Sequence, residues 1–269
     1  MNNEIVELMS KARSGNADAQ NHFGDAYFDG NGLEQDYTKA FEWYLCAAEQ
    51  GHGKAQYNVA YAYANGIGSQ KNIEESIKWY SKSADQGIAL AQYVLAKLLI
   101  TGQFIEQDIT KGLDLLQKAS DQGLDLAQYD LGTIFLEGRI VVPDVNKGIS
   151  FLVLSAEQGN KDAQYNLGLA YSSLPEPDYA SAEKYLREAS LNGHFTAMFE
   201  LSRLYTINVR EHKHGLLWAV VALEYCEKQD EQKINRIKNN LKNKLSPTDC
   251  DAVSSEARNI ISRLDASLC

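Results

Sequence analysis

Two neighbouring segments, "KAQYNVAYAYANG" (54–66) and "IEESIKWYSKSADQG" (73–87), show the pattern from which the fold follows. The first segment places four apolar residues at the i, i+4, i+5, i+8 spacing of a buried helical face. They are Ala55, Val59, Ala60 and Tyr63. Gly66 and Gly68 then interrupt the helix, because glycine adopts a left-handed turn at little cost. Asn72 is a suitable N-cap for a second helix, so the stretch predicts a helix pair.

The same pattern recurs along the chain. Ala-Gln returns every 36 residues, at 19–20, 55–56, 91–92, 127–128 and 163–164, and Ala197-Met198 follows after 34. A glycine preceded by Glu-Gln or Asp-Gln shares this period, at Gly51, Gly87, Gly123 and Gly159. Helix-starting residues also recur, at Asp36, Asn72, Asp108, Asp144 and Asp178. A single helix pair cannot bury its apolar face, so these repeats predict stacked pairs that form a solenoid.

The ends of the repeat define the expected domain organisation. We predict an N-terminal capping helix (1–15), six helix pairs and C-terminal capping helices (228–269). The six pairs cover 16–51, 52–87, 88–123, 124–159, 160–193 and 194–227. The sixth pair is expected to contain a long irregular linker, "TINVREHKHG" (206–215). Ser246 before Pro247 predicts the start of the last helix.

Small residues recur where two helices are expected to approach closely. One set lies in the first helices, at Gly24, Ala60, Ala96, Gly132 and Gly168. Another lies in the second helices, at Ala48, Ala84, Ser120, Ala156 and Ser190. A leucine at any of these positions is expected to overpack the contact, at about 1–3 kcal/mol.

Three segments resemble Sel1-like repeats, which are relatives of the tetratricopeptide repeat. They are "AQYNLGLAY" (163–171), "DYTKAFEWY" (36–44) and "AAEQG" (47–51). The resemblance covers about residues 4–227. It implies an all-α, right-handed superhelix of stacked antiparallel helix pairs that holds other proteins, and it does not name them. "SSLPEPD" (172–178) replaces the glycine turn in the fifth pair, so that turn is expected to be irregular.

Composition narrows the expected setting and partners. The 269 residues carry a net charge of −10 and a pI of about 5.0. Such a chain is a poor binder of nucleic acid or an anionic membrane and suits a basic partner better. Its four cysteines show no metal-ligand spacing. With no secretory signal and no long apolar segment in the given sequence, we expect a cytoplasmic protein.

The sequence marks no catalytic residue, metal site or cofactor site. Phosphate-binding glycine loops, HExxH and CxxC are missing from it. "DGNGLEQD" (29–36) departs from a calcium loop at Leu33 and Glu34. His212 and His214 lack an evident third ligand and fit a solvated linker. His22, His52 and His194 are scattered, and His52 and His194 each follow a helix-ending glycine, an ordinary exposed setting. We therefore predict that the protein is not an enzyme.

One basic segment stands out in the acidic chain, "KINRIKNNLKNK" (233–244). Its charged face is able to bind RNA or acidic lipid. We favour a capping helix with a solvated basic face, in which Ile234, Ile237 and Leu241 cover the last pair.

Two positions of the first helices are the candidate partner-binding residues. The fifth position holds Tyr57, Tyr93, Tyr129, Tyr165 and Phe199. The ninth position varies in charge and size, and holds Asp25, Tyr61, Lys97, Thr133, Leu169 and Arg203. The aromatic residues either line a concave groove and stack on a partner, or pack between neighbouring first helices with only their hydroxyl groups in water.

These observations favour a non-catalytic scaffold that binds a protein partner in the concave groove. A narrower alternative is an immunity-type inhibitor that neutralises a toxic enzyme, which the acidic charge and small size suggest. An exported bacterial effector acting through protein binding is a further alternative. None of the three requires nucleic acid, a membrane or a small-molecule cofactor.

Overall fold

The computed structural model describes residues 3–268, which form fifteen α-helices, one π-helical turn (Leu204–Val209) and no strand. In chain order the helices are α1 (Asn3–Arg13), α2 (Ala17–Asp29), α3 (Tyr37–Glu49), α4 (Gly53–Asn65), α5 (Ile73–Asp85), α6 (Ala89–Thr101), α7 (Ile109–Asp121), α8 (Asp125–Glu137), α9 (Val145–Glu157), α10 (Lys161–Ser172), α11 (Tyr179–Leu191), α12 (Phe195–Arg203), α13 (His212–Tyr225), α14 (Lys228–Lys242) and α15 (Pro247–Leu268). The predicted all-α class is confirmed.

The chain divides into an N-terminal unit (1–127) and a C-terminal unit (128–269). In the N-terminal unit each helix from α1 to α6 packs against the next one along the chain. In the C-terminal unit α9 to α13 follow the same rule, and α13 also contacts both α14 and α15. Each unit is therefore built from consecutive helix pairs that stack on one another, as the repeat predicts.

Recurring side-chain caps start the helices. The predicted caps of the second helices accept a hydrogen bond from the backbone N–H three residues on, at 2.9–3.1 Å. They are Asp36, Asn72, Asp108, Asp144 and Asp178. This arrangement satisfies a backbone donor that has no partner within the helix.

Two histidines have a structural role that the sequence analysis missed. The Nδ1 atoms of His52 and His194 accept from the N–H groups of Ala55 and Ala197, both at 3.1 Å. Their side chains are only 18% and 15% exposed. The expectation of an ordinary exposed setting is therefore wrong for these two residues, since they cap α4 and α12. His22 is exposed.

The two repeated sequence signatures are joined by hydrogen bonds. Gln56 of the Ala-Gln pair donates from Nε2 to the carbonyl of Ala48 at 3.2 Å, and its Oε1 accepts from Nε2 of Gln86 at 2.7 Å. We call this arrangement the amide bridge. Gln20, Gln92 and Gln164 bridge in the same way, and Gln128 accepts from Gln158. The bridging glutamines of the Ala-Gln pairs are only 4–7% exposed, so each bridge lies inside the stack.

Glycines permit the turns and the close helix contacts. Gly51, Gly87, Gly123 and Gly159 have φ angles of 81–90°, the left-handed region that favours glycine. At Gly24 an added Cβ would lie 2.6 Å from the Tyr44 ring, so α2 and α3 of one pair touch there. Gly132 meets Leu152 in the same way. The recurring small residues of the first helices therefore face the second helix of their own pair.

The linker predicted at 206–215 is not irregular. The π-helical turn continues α12 to Val209, and α13 begins at His212. Tyr205 is 1% exposed, and its hydroxyl group donates to Glu183 and accepts from Arg187, both at 2.6 Å. Burial of Tyr205 holds this segment against the core. Arg210, with a φ of 63°, then ends the turn.

The apolar side of α14 packs against α13. Ile234 and Leu241 of α14 are fully buried in the core that α13 supplies, with Ile237 packed beside them. Ser246 caps α15, because its Oγ accepts from the N–H of Asp249 at 3.1 Å. Cys46, Cys226 and Cys250 are free thiols, and Cys269 lies outside the described residues.

The amide bridge is expected to stabilise the stack. Gln56→Met keeps the size of the side chain but removes both hydrogen bonds, which should lower the unfolding free energy by about 1–3 kcal/mol. The midpoint of urea unfolding measures the change. Gln70→Met is the matched control, since Gln70 is exposed in the turn before α5. Equal midpoints for the two variants would show that the bridge does not stabilise the fold.

Two glycine substitutions separate backbone strain from steric collision. Gly51→Ala introduces only left-handed strain, at about 1–2 kcal/mol, because no atom lies within 4 Å of the added Cβ. Gly68 has a similar left-handed φ of 69°, but its Cβ would collide with the carbonyl oxygen of Tyr37. We expect Gly68→Ala to cost at least about 1 kcal/mol more in thermal unfolding. A smaller loss for Gly68→Ala than for Gly51→Ala would contradict this.

Candidate functional site

Three candidate residues of the N-terminal unit line one cavity. Asp25, Tyr57 and Tyr61 surround a space of about 290 Å³ between α2, α3 and α4. Its aromatic lining consists of Phe28, Tyr37, Phe41, Tyr44, Tyr57 and Tyr61. We call it the aromatic cavity. Its ionisable groups other than tyrosine are Asp25 and Asp29, and no lysine or arginine is among its lining residues.

Asp25 is held in place by neutral hydrogen-bond donors. The hydroxyl group of Tyr44 donates to Oδ1 at 2.8 Å, and Nδ2 of Asn21 donates to Oδ2 at 3.2 Å. Asn21 in turn accepts from Asn58 of α4 at 3.1 Å. Burial raises the pKa of the Asp25 carboxyl above its ordinary value, although the hydrogen bond from Tyr44 acts in the opposite direction. The site therefore holds a partly desolvated carboxylate without a bonded cation.

Two of the tyrosines around Asp25, Tyr44 and Tyr57, are packed within the fold. Burial, followed by the charge of Asp25, raises the pKa of Tyr44. The ring of Tyr57 lies 5.7 Å from that of Tyr80 in α5, and burial raises its pKa as well. Tyr61 is 40% exposed and forms the open side of the cavity. The fold therefore orients the rings of Tyr44 and Tyr57 and the carboxylate of Asp25.

The C-terminal unit contains a cavity at equivalent positions. Thr133 and Leu169 lie on a space of about 580 Å³ between α8, α9 and α10. Leu136 and Val145 stand where Phe28 and Tyr37 stand in the aromatic cavity, three repeats earlier. We call this space the aliphatic cavity. One architecture therefore carries two different linings.

The other candidate residues form local pairs. Lys97 donates to the Tyr93 hydroxyl group at 3.2 Å and lies 5.3 Å above its ring. The Tyr165 ring stacks on His194 at 4.3 Å, and the Tyr129 hydroxyl group accepts from Asn166 at 3.4 Å.

A third cavity, of about 400 Å³, includes Phe199, His194 and Tyr225. Arg203 binds Glu200 at 2.9 Å and lies 5.9 Å from the Phe199 ring. The fifth-position aromatics are all half-buried. Whether a partner meets the remaining surface of these residues stays a prediction.

Four aromatic residues of the cavity escaped the sequence analysis. Phe28, Tyr37, Phe41 and Tyr44 belong to the end of α2 and to α3. A signal was present, because the equivalent positions of the next pair hold Ala64, Ile73, Ile77 and Tyr80. The aromatic residues at 28, 37 and 41 are therefore a departure from the repeat, and departures mark positions that the framework does not require.

Within residues 3–268, no group of three His, Cys, Asp or Glu side chains could hold a metal ion. No helix in the described part of the chain is long and apolar enough to cross a membrane.

Comparison with known proteins places the repeats in a family. The Sel1 repeat family model matches residues 17–52, 53–88, 89–124, 125–160 and 161–194. The sixth pair predicted at 194–227 lies beyond these matches and stays a proposal. No curated protein matches the chain.

Solved structures are similar over most of the chain. A Sel1 repeat protein from Oxalobacter formigenes is 32% identical, with a TM-score of 0.71, over 81% of this chain and 92% of that one. A protective antigen of uropathogenic Escherichia coli with an SLR fold is 23% identical, with a TM-score of 0.61, over 97% of this chain and 64% of that one. The second likeness shows the fold alone.

The pKa of Asp25 tests the electrostatics of the aromatic cavity. A carboxyl NMR titration should place this pKa above the ordinary value of 3.8. Tyr44→Phe should raise it further, because the hydrogen bond that stabilises the ionised form is lost. Asp36 serves as the internal control, because its hydrogen bonds with Lys39 lower its pKa. A value for Asp25 at or below 3.8 would contradict the geometry described.

A raised pKa also predicts how stability depends on pH. The folded protein binds a proton at Asp25 more tightly than the unfolded chain does. Protonation of Asp25 therefore contributes to the free energy of unfolding, and this contribution is fully present below the unfolded pKa. It is lost as pH rises through the folded pKa. The stability of Asp25→Asn relative to the native protein should therefore increase from pH 3 to pH 7, as measured by urea unfolding. A constant difference across this range would contradict the prediction.

Proposed function

Because the chain belongs to the Sel1 repeat family, we propose that it is a non-catalytic scaffold that binds a protein partner on its first helices. The residues involved are the fifth- and ninth-position residues, which we call the first-helix face. The observation that carries the proposal is that this face lines an open cavity in each unit, with Asp25, Tyr57 and Tyr61 in one and Thr133 and Leu169 in the other.

The contrast between repeated and variable positions supports this choice of face. The Ala-Gln residues recur because they are buried and form the amide bridge. The ninth position is free of that role and changes from Asp25 to Tyr61, Lys97 and Thr133 along the chain. Large amphipathic residues such as tyrosine are well suited to partner contacts, because they bury much area with few rotatable bonds.

The overall charge points to the chemistry of the partner. A net charge of −10 favours a basic protein, and acidic surfaces accelerate its capture. A narrower form of the proposal is an immunity-type inhibitor that neutralises a toxic, basic enzyme. Co-expression with the product of a neighbouring gene tests this form. A toxic product against which the chain gives no protection would contradict it, while leaving the scaffold proposal intact.

Site-specific photo-crosslinking tests the proposed face. A benzoylphenylalanine placed at Tyr61 or at Leu169 should capture a protein partner in cells that make this chain. The control position is Glu74, an exposed residue of the second helix α5. Capture at the two first-helix positions and not at Glu74 is the expected result. Capture from Glu74 alone, or no protein capture at any position, would contradict the proposal.

A further inference from the structure

We propose that the aromatic cavity receives a basic side chain, lysine or arginine, from the protein partner. The inference rests on the proposed function, because it takes the occupant to be part of a protein. It adds the chemical identity of the group that is recognised and the place in the fold where recognition occurs.

The lining of the cavity is complementary to a cation. Six aromatic rings surround it, and the faces of such rings attract ammonium and guanidinium groups. The same chemistry occurs elsewhere on this chain, where Lys82 lies 4.1 Å above Trp79 and Lys147 lies 4.1 Å above Phe135. In the aromatic cavity, however, the chain supplies rings and no lysine or arginine.

The Asp25 carboxylate supplies a fixed negative charge. Each of its oxygens accepts one hydrogen bond from a neutral donor, Tyr44 or Asn21. A carboxylate oxygen has two lone pairs, so each keeps acceptor capacity. Because Tyr44 and Asn21 are themselves held by the helices, Asp25 is oriented before a partner arrives. Asp29 at the exposed edge adds a second negative charge.

The size of the cavity suits a single side chain. About 290 Å³ lies at the lower end of the range for ligand pockets. The cavity is open along Tyr61, which is 40% exposed, so a side chain carried by another protein has access. A lysine or arginine fits both the size and the charge of this space.

The aliphatic cavity provides an internal contrast. It lies at equivalent positions in the C-terminal unit and is larger, at about 580 Å³. Leu136, Val145 and Leu169 replace the aromatic residues, and Thr133 stands where the first pair has Asp25. The helix-pair architecture therefore does not produce the cationic preference. The residues at 25, 28, 37 and 61 produce it.

The first test measures binding of small probes by NMR. The probes are the Nα-acetyl N-methylamides of lysine, arginine and norleucine. The cationic probes should shift the ring signals of Tyr37 and Tyr61 saturably, with norleucine at least about fivefold weaker. Methyl signals of Val145 and Leu169 in the aliphatic cavity should show no preference for the cationic probes. Equal binding of norleucine and lysine would overturn the proposal.

Matched variants locate the effect. Asp25→Asn keeps the size of the side chain and should weaken binding of the lysine and arginine probes about fivefold or more. Tyr61→Leu keeps apolar bulk but removes the ring, and should also weaken the cationic probes. Asp85→Asn, at the exposed end of α5, should leave binding unchanged. Unchanged binding in Asp25→Asn and Tyr61→Leu would overturn the proposal.

The second test uses the partner captured through Tyr61 and separates this inference from the proposed function. Asp25→Asn should weaken the complex at least about fivefold, and Asp85→Asn should not. A captured partner whose affinity is unaffected by Asp25→Asn would overturn the cation cavity and leave the scaffold standing. Tight binding of tetramethylammonium with no protein captured at any position would instead show that a small free cation occupies the cavity, and would overturn both.

Discussion

The stack depends on a buried amide that connects three helices. In the bridge at Gln56, one side chain donates to the carbonyl of Ala48 in the preceding helix and accepts from Gln86 at the end of the following one. The carbonyl of Ala48, at the end of α3, also accepts from the N–H of Gly51 at 3.0 Å, and a carbonyl oxygen has two lone pairs. An amide carries both a donor and an acceptor, so Gln56 donates the second hydrogen bond to this carbonyl and still accepts one from Gln86.

This bridge explains why two distant signatures share one period. In Ala-Gln, the alanine permits close packing and the glutamine places an amide at a fixed distance from the backbone. The Glu-Gln-Gly or Asp-Gln-Gly turn needs a second amide and a left-handed backbone. A one-residue insertion between them would move the amides apart, because successive helix residues point about 100° away from one another. The bridge tolerates a shorter turn between the helices, since Gln164 and Asn192 are joined across 28 residues where Gln56 and Gln86 are joined across 30. It confines variation to positions outside the bridge.

The aromatic cavity shows how a regular framework carries a particular chemistry. Its walls come from α2, α3 and α4, which the repeat already places side by side. Substituting aromatic residues at a few wall positions, with Asp25 facing Tyr44, changes the cavity without disturbing the helix contacts below it. The aliphatic cavity shows the same walls with leucine and valine. Recognition can thus differ between pairs while packing remains the same.

The helix pairs, most of their caps and their order could be predicted from the sequence, because each rests on local or periodic features. Asp36 and Asn72 cap through neighbouring backbone groups, and buried stripes such as Ala55 and Val59 follow the helical period. The sequence also indicated Asp25, Tyr57 and Tyr61 as candidates, from their positions within the repeat. It did not reveal that Phe28, Tyr37 and Phe41 share their cavity.

That grouping becomes visible only in the folded chain, because the lining residues meet across three helices rather than along one. The tertiary structure also decided the π-helical turn after α12, where burial of Tyr205 outweighs the polar character of the segment. The capping role of His52 and His194 also required the structure, because histidine is a rare helix cap. Their role is identified only by the backbone N–H groups from which their rings accept hydrogen bonds. Periodicity specifies which residues face inward, whereas contacts between helices specify which of them meet.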